Sequence, residues 1–236
     1  MALIGILGGM GPLATADFFH KLVKLTSVAG ATCDQQHLPL LVANLPHIPD
    51  RSQAMLGEGP DPLPALIDGI DMLNRNSVDL IVMPCNSAHY WYDALRGRTR
   101  TPMLHIAEVC VSAVSPGARH AAVLATGGTL STGLYQRALS ARGIEPLEPA
   151  GHVQAMIDAC IRAVKADSLD QSAAYLAEAL DGFARQGADV AVMGCTEIPL
   201  AAERLAAPAI PLVDSTLELA RATVSYALAR GWDRPA

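Results

Sequence analysis

The sequence predicts an α/β protein made of two pseudo-symmetric lobes, each with a mainly parallel sheet flanked by helices. Three observations predict it. Short apolar runs alternate with helical patterns along the whole chain. Two segments share one pattern: Asp79-Leu80-Ile81-Val82-Met83-Pro84-Cys85-Asn86-Ser87 and Asp189-Val190-Ala191-Val192-Met193-Gly194-Cys195-Thr196-Glu197 both read acid, apolar run, Met, turn residue, Cys, small polar residue. The surroundings repeat in the same order. A strand-then-glycine unit precedes each Cys (Ile4-Gly5-Ile6-Leu7-Gly8-Gly9 and Ala121-Ala122-Val123-Leu124-Ala125-Thr126-Gly127), and Pro102 and Pro211 follow at similar offsets. One such match arises readily by chance; three in order do so far less readily.

Residues 3–7 read as the first strand. Pro12 suits a first helical position, and residues 13–25 continue as a helix. Residues 38–45 form a second strand, and 48–59 a polar loop bearing Gly and Pro, a kind that is often functional. Asp61 and Pro62 open a helix that runs to about residue 76. Residues 80–83 are the strand carrying Cys85, followed by a helix over 88–95, a strand over 103–106 and a helix over 107–114. Residues 121–125 start the second half, and 130–142 are helical with Gly143 as C-terminal cap. Helices over 153–165 and 169–186, strands over 190–193 and 210–213, and a final helix over 216–229 complete the pattern. The first lobe is expected over 1–115 with Cys85 and the second over 116–215 with Cys195; residues 216–236 are expected to pack back on the first.

Composition narrows the class. The chain has 236 residues, 51% hydrophobic and 17% charged, which suffices for a sizeable core. Net charge is −6 and no basic cluster occurs, which argues against a nucleic-acid partner. No apolar run reaches the roughly 18 residues of a membrane span, and the N-terminus has no secretory pattern. Five cysteines in no regular spacing fit free thiols in the cytoplasm.

The chemistry centres on two of those cysteines. Pro84 and Gly194 stop their strands, so Cys85 and Cys195 sit past the carboxyl end of a core strand and before a helix. Ligands of open α/β sheets bind there. A helix N-terminus also lowers a thiol pKa and makes a thiolate available as a general base. The pair therefore suggests one thiolate and one thiol on opposite sides of a small substrate. Cys33, Cys110 and Cys160 read as packing residues.

The neighbours carry two readings each. Asn86, Ser87 and Thr196 are helix caps or parts of a carboxylate-binding nest, and Thr126 and Thr129 admit the same pair. Gly9-x-Gly11-x-x-Ala14 matches a dinucleotide fingerprint, but the second strand ends Asn44-Leu45-Pro46 without the acid that fingerprint wants. Met10 and Gly11 are read instead as loop backbone that approaches a small anion. Arg51 and Lys165 are solvated cations or substrate contacts. Arg51 lies in Pro49-Asp50-Arg51-Ser52, where its fork can clamp a carboxylate with Asp50 orienting it. Cys85 and His89 are spaced i, i+4, yet no second clustered pair completes a zinc site, so His89 lines the rim or packs. Glu197 either tunes the Cys195 proton or serves as a helix N-terminal acid.

Gly5-Ile6-Leu7-Gly8-Gly9-Met10-Gly11-Pro12-Leu13-Ala14-Thr15, Pro49-Asp50-Arg51, Met83-Pro84-Cys85-Asn86-Ser87-Ala88-His89 and Gly194-Cys195-Thr196-Glu197 closely resemble the aspartate racemase branch of the aspartate/glutamate racemase superfamily. The resemblance spans essentially the whole chain. It implies a cofactor-independent racemase, two pseudo-symmetric α/β lobes with the active site between them, and a homodimer. At matching positions it makes Cys85 and Cys195 the catalytic acid/bases. It makes Asn86, Ser87, Thr126 and Thr196 binders of the α-carboxylate and amino group, and Arg51 and Lys165 the cations for a distal carboxylate. Ser87 stands where the motif usually has Thr; it keeps the hydroxyl and loses a methyl. The implied substrate is aspartate or a related acidic amino acid, inverted by two-base proton transfer, with no cofactor and no metal. The alternatives are another superfamily substrate (another amino acid, a hydantoin, maleate) or a non-catalytic amino-acid-binding regulatory protein.

Overall fold

The computed structural model describes residues 2–232. In chain order the elements are β1 Ile4–Gly8, α1 Pro12–Val28, a 3-10 turn Asp34–Gln36, β2 Leu40–Asn44, α2 Arg51–Met55, α3 Leu63–Arg75, β3 Leu80–Val82, a 3-10 helix Ser87–Trp91, α4 Tyr92–Arg96 and α5 Ile106–Ser112. There follow β4 His120–Leu124, α6 Gly127–Ser131, α7 Leu134–Ser140, β5 Glu145–Leu147, α8 Gly151–Lys165, α9 Leu169–Arg185, β6 Val190–Met193, α10 Ile198–Ala202, β7 Leu212–Asp214 and α11 Ser215–Leu228. They make two compact units. One holds the chain up to Val109 together with the residues from Thr216 onward; the other is Cys110–Ser215.

In the first unit β1 is central and parallel to both neighbours, in the order β2-β1-β3, with Ile4 opposite Leu40 and Leu80. Every residue of β1 and β3 is buried, as expected of parallel strands covered on both faces. Alternation sends Ile4 and Ile6 to one face, against Phe18 and Leu22 of α1 and Leu219, Ala220, Val224 and Ala227 of α11. Leu7 points to the other face, against Leu66, Ile70 and Leu73 of α3. The second unit repeats this plan in the order β5-β4-β6-β7, all parallel. One face of its sheet (Ala122, Leu124, Ala191, Met193) packs on Val153, Ile157 and Cys160 of α8 and on Leu176, Leu180 and Phe183 of α9.

The acid that opens each sequence repeat proves structural. Asp79 Oδ2 accepts the Leu3 N–H at 2.8 Å, at the entry to β1. Asp189 Oδ2 accepts the N–H groups of Arg119 and His120, both at 2.8 Å, at the entry to β4. Those backbone donors, His120 first, hold the Asp189 carboxyl below its usual pKa. Each carboxylate thus pins the central strand beside the strand that leads to a cysteine.

Several expected elements are different. The loop over 48–59 contains α2, whose N-cap Asp50 accepts the Gln53 N–H at 2.9 Å. The single helix over 88–95 is a 3-10 helix followed by α4. The strand at 103–106 shrinks to one parallel bridge between Met103 and Ile81, which occupies the place that β7 takes in the second unit. The helix over 130–142 is two helices, divided at Gly133 with φ +66°. β5 was not expected: it is three residues long, contains Pro146 and lies at a sheet edge, where a missing N–H is tolerated. Among the described residues no helix is long and apolar enough to cross a membrane.

Gly9 has φ +92°, and a Cβ there would lie 2.3 Å from Leu45 N, which is backbone and cannot give way. Gly143 has φ +71° and nothing within 4 Å. We expect Gly143→Ala to cost about 1 kcal/mol, the penalty of a left-handed residue alone. Gly9→Ala adds the clash and should cost more than about 3 kcal/mol. Urea midpoints measure both; equal losses would show that the approach to Leu45 is not limiting.

Candidate active site

Parallel pairing places the carboxyl ends of all strands of a sheet on one edge. In the first unit that edge gathers the glycine loop after β1, the Leu45–Arg51 stretch after β2 and the Cys85 loop after β3. In the second it gathers Thr126 after β4, Cys195 after β6 and Asp214 at the end of β7.

The glycines after β1 serve packing. A Cβ at Gly8 would meet Thr15 at 2.3 Å, and the Thr15 hydroxyl accepts from Gly9 N–H and donates to Gly11 carbonyl, both at 2.9 Å. Met10 is buried with the α3-facing core, and Gly11 is the N-cap of α1. Arg51 reaches back to this loop. Its Nη1 donates to the carbonyls of Ile48 (3.1 Å) and Pro49 (2.9 Å), and its Nη2 to that of Met10 (3.4 Å). Its Nε is buried without a hydrogen-bond partner. The guanidinium is therefore anchored through both Nη1 and Nη2, and Nε is the donor left without a partner. Asp50, expected to orient Arg51, instead caps α2.

Cys85 is 2% exposed. Its Sγ lies 3.5 Å from Ser87 Oγ. Asn86 is buried and its carbonyl accepts the His89 N–H at 3.0 Å, opening a 3-10 helix rather than the expected α-helix. His89 does not line a rim. It is buried, its Nε2 accepts the Ile106 N–H at 3.1 Å, and its Nδ1–H donates to the Cys85 carbonyl at 2.8 Å. Burial first, and the neighbouring His105 second, push its pKa down to about 3 against the opposing pull of the Cys85 and Leu104 backbone. The ring is neutral and both nitrogens are engaged. Among the described residues no group of three or more His, Cys, Asp or Glu is arranged to hold a metal ion.

Cys195 is 8% exposed, and its thiol donates to Glu197 Oε2 at 3.0 Å. Thr196 Oγ1 donates to the same oxygen at 3.3 Å. The Glu197 carboxylate thus serves the thiol rather than the α10 terminus, where it makes no cap bond. The expectation of a lowered pKa fails for Cys195. Burial, followed by the Glu197 charge, pushes this thiol well above its usual value, while Lys165 acts the other way and ranks last. Lys165 itself is exposed at the end of α8. Thr126 caps α6, accepting the Thr129 N–H at 3.2 Å. Beneath the Cys195 loop, a Cβ at Gly194 would come within 2.9 Å of the buried Tyr135 ring, and Ser215 Oγ donates to the Met193 carbonyl at 2.7 Å. Cys160 is buried, and burial followed by the Glu197 charge raises its thiol to about 12, in keeping with a packing role. Cys33, read as packing, is exposed.

The family described as Asp/Glu/hydantoin racemase matches residues 7–223. The chain is 32% identical over 230 residues to the Bacillus subtilis broad specificity amino-acid racemase RacX, covering 96% of this chain and 99% of that one. Its fold superimposes on Picrophilus torridus aspartate racemase with a TM-score of 0.83 at 28% identity, covering 99% and 100% of the two chains. Glutamate racemase from Francisella tularensis, in complex with D-glutamate, shares the fold with a TM-score of 0.73 at 15% identity, over 98% of this chain and 82% of that one.

The neutral ring makes stability pH-dependent. The unfolded chain takes up a proton on His89 near pH 6.5 and the folded protein only near pH 3, so acidification between those values favours unfolding. His89→Asn removes this proton uptake. The stability gap between the native protein and the variant should therefore narrow by as much as ~1.4 kcal/mol per pH unit below about pH 6.5. Urea unfolding at several pH values checks it; a constant gap would refute the buried neutral ring.

Proposed function

This chain belongs to the Asp/Glu/hydantoin racemase family, and on that premise we propose that it inverts the α-carbon of an acidic amino acid, aspartate first, using Cys85 and Cys195 as the two proton-transfer groups. The observation that carries the reading is the pair of cysteines that follow the corresponding strands, β3 and β6, each paired in parallel with the central strand of its sheet, one of them hydrogen-bonded to a carboxylate.

In the proposed reaction one cysteine thiolate removes the α-proton and becomes a thiol. The other thiol gives its proton to the opposite face of the carbanion and becomes the thiolate. No cofactor takes part. The carbanion is stabilised by donors around the α-carboxylate, for which Asn86, Ser87, Thr126 and Thr196 are the candidates. When Cys195 is to act as base, its proton passes to Glu197 Oε2, already 3.0 Å from Sγ. Arg51, whose Nε has no hydrogen-bond partner, takes the distal carboxylate, and Lys165 adds a second positive charge near Cys195. A homodimer in the cytoplasm belongs to the same proposal. A second reading, turnover of several amino acids, is favoured by the similarity to the broad specificity amino-acid racemase of Bacillus subtilis.

The test is chiral and mass analysis of L-aspartate, and separately D-aspartate, incubated in D₂O with the reduced protein. Approach to a racemic mixture from both sides, with deuterium at the α-carbon, is the expected result. Cys85→Ser and Cys195→Ser should each lower it by more than about 10²-fold, the scale of one acid–base group. Retained inversion in both variants would end the two-base reading, and retained affinity without turnover in the native protein would favour a binding role. Arg51→Ala should lower kcat/KM for aspartate by roughly 10- to 100-fold, the worth of a charged hydrogen bond. It should leave a neutral amino acid within about 3-fold; equal losses on both would mean that Arg51 serves only to hold its loop.

A further inference from the structure

We propose that His89 is a positioning residue for Cys85, holding the backbone of that cysteine in place through its two ring nitrogens. The inference rests on the proposed role of Cys85 and goes beyond it.

Pro84 has no N–H to give, and the Cys85 N–H closes only a tight bond to the Met83 carbonyl at 2.8 Å. The Cys85 carbonyl is taken by His89 Nδ1–H at 2.8 Å. The other side of the ring accepts the Ile106 N–H at 3.1 Å, one of the donors that the first turn of α5 would otherwise leave unpaired. The ring is itself fixed. It stacks on Tyr92 at 5.7 Å with 10° between planes, and the Tyr92 hydroxyl donates to the Met103 carbonyl at 2.9 Å. His105 packs edge-on at 5.0 Å. A neutral imidazole with both nitrogens bonded to backbone neither shuttles a proton nor binds a metal. What it does is join the Cys85 peptide to the start of α5, and so set the direction of the Cα–Cβ bond that carries Sγ. The second unit holds its cysteine loop differently, through Ser215 on the Met193 carbonyl. Loss of His89 should therefore disturb Cys85 and spare Cys195.

The experiment compares His89→Asn with His89→Gln in the full chain. Asn can place an amide donor near the Nδ1 position and keep the bond to the Cys85 carbonyl; Gln reaches the Nε2 position and gives that bond up. For the amino acid that the native protein turns over fastest, H89Q should lower kcat by about 10²-fold with KM within about 3-fold, the effect of misplacing a reacting group by about 1 Å. H89N should restore kcat to within about 10-fold of native. Iodoacetamide alkylation, followed peptide by peptide by mass spectrometry, supplies a readout free of turnover. The Cys85 rate should change several-fold in H89Q and little in H89N, with the Cys195 rate unchanged in both.

Native kcat in H89Q overturns the proposal. So does a loss shared equally by both variants that follows their loss of thermal stability, with both cysteines altered. Should H89Q not fold, a more than tenfold loss of kcat in H89N at unchanged Cys85 alkylation also overturns it. If the native protein racemises no amino acid, the functional reading fails while the alkylation comparison still decides the positioning role.

Discussion

The candidate site depends above all on parallel pairing of one central strand with its neighbours in each unit. β1 runs parallel to β2 and β3, and β4 to β5 and β6. Parallel strands need long crossovers, and these bring every strand out at the same edge. Residues as far apart in sequence as Met10, Arg51 and Cys85 therefore share one edge with no special arrangement between them. Asp79 and Asp189 secure the pairing from the opposite edge, where the first accepts one backbone N–H and the second two at the entry of the central strand. An acid that opens a cysteine repeat thus acts at the far end of the strand from the cysteine.

The two halves share a plan and differ in what holds each cysteine. In the first, a proline precedes the thiol and a neutral imidazole takes the cysteine carbonyl. In the second, a glycine replaces the proline, because the Tyr135 ring lies where a side chain would be, and a serine takes the preceding carbonyl. The proton environments differ too. Cys195 has a carboxylate at 3.0 Å, whereas Cys85 has a serine hydroxyl at 3.5 Å. Two groups that serve opposite faces of one carbon, as proposed for this pair, need not be chemically identical.

Much of this was legible in the sequence, for identifiable reasons. Strands covered on both faces read as unbroken apolar runs, so β1, β3, β4 and β6 stood out. Other short elements did not: β5 contains a proline, α2 is five residues long, and the strand expected near Met103 forms a single bridge. At the site, the cysteines and their polar neighbours follow from local spacing. The acceptor that Glu197 offers Cys195 is local as well, but its effect on the thiol depends on burial, which spacing does not report. His89 was ambiguous because one of its two partners, Ile106, comes 17 residues later. Arg51 was recognisable as a cation in a loop, while its anchoring to three carbonyls depends on the fold.

The connectivity of the units has a consequence for synthesis. The second unit is an uninterrupted stretch, Cys110–Ser215, inserted into the first. α11, which covers Ile4, Ile6, Phe18 and Leu22, is the last of the described helices to be made. Chains commonly fold from the N-terminus as they emerge from the ribosome. Here the inserted unit has all its residues before the enclosing one does, and the sheet made first waits with one apolar face only partly covered, by α1, until translation has passed residue 228. A nascent chain stalled before that point would present this face to chaperones, so the final helix acts as the closing step of biogenesis.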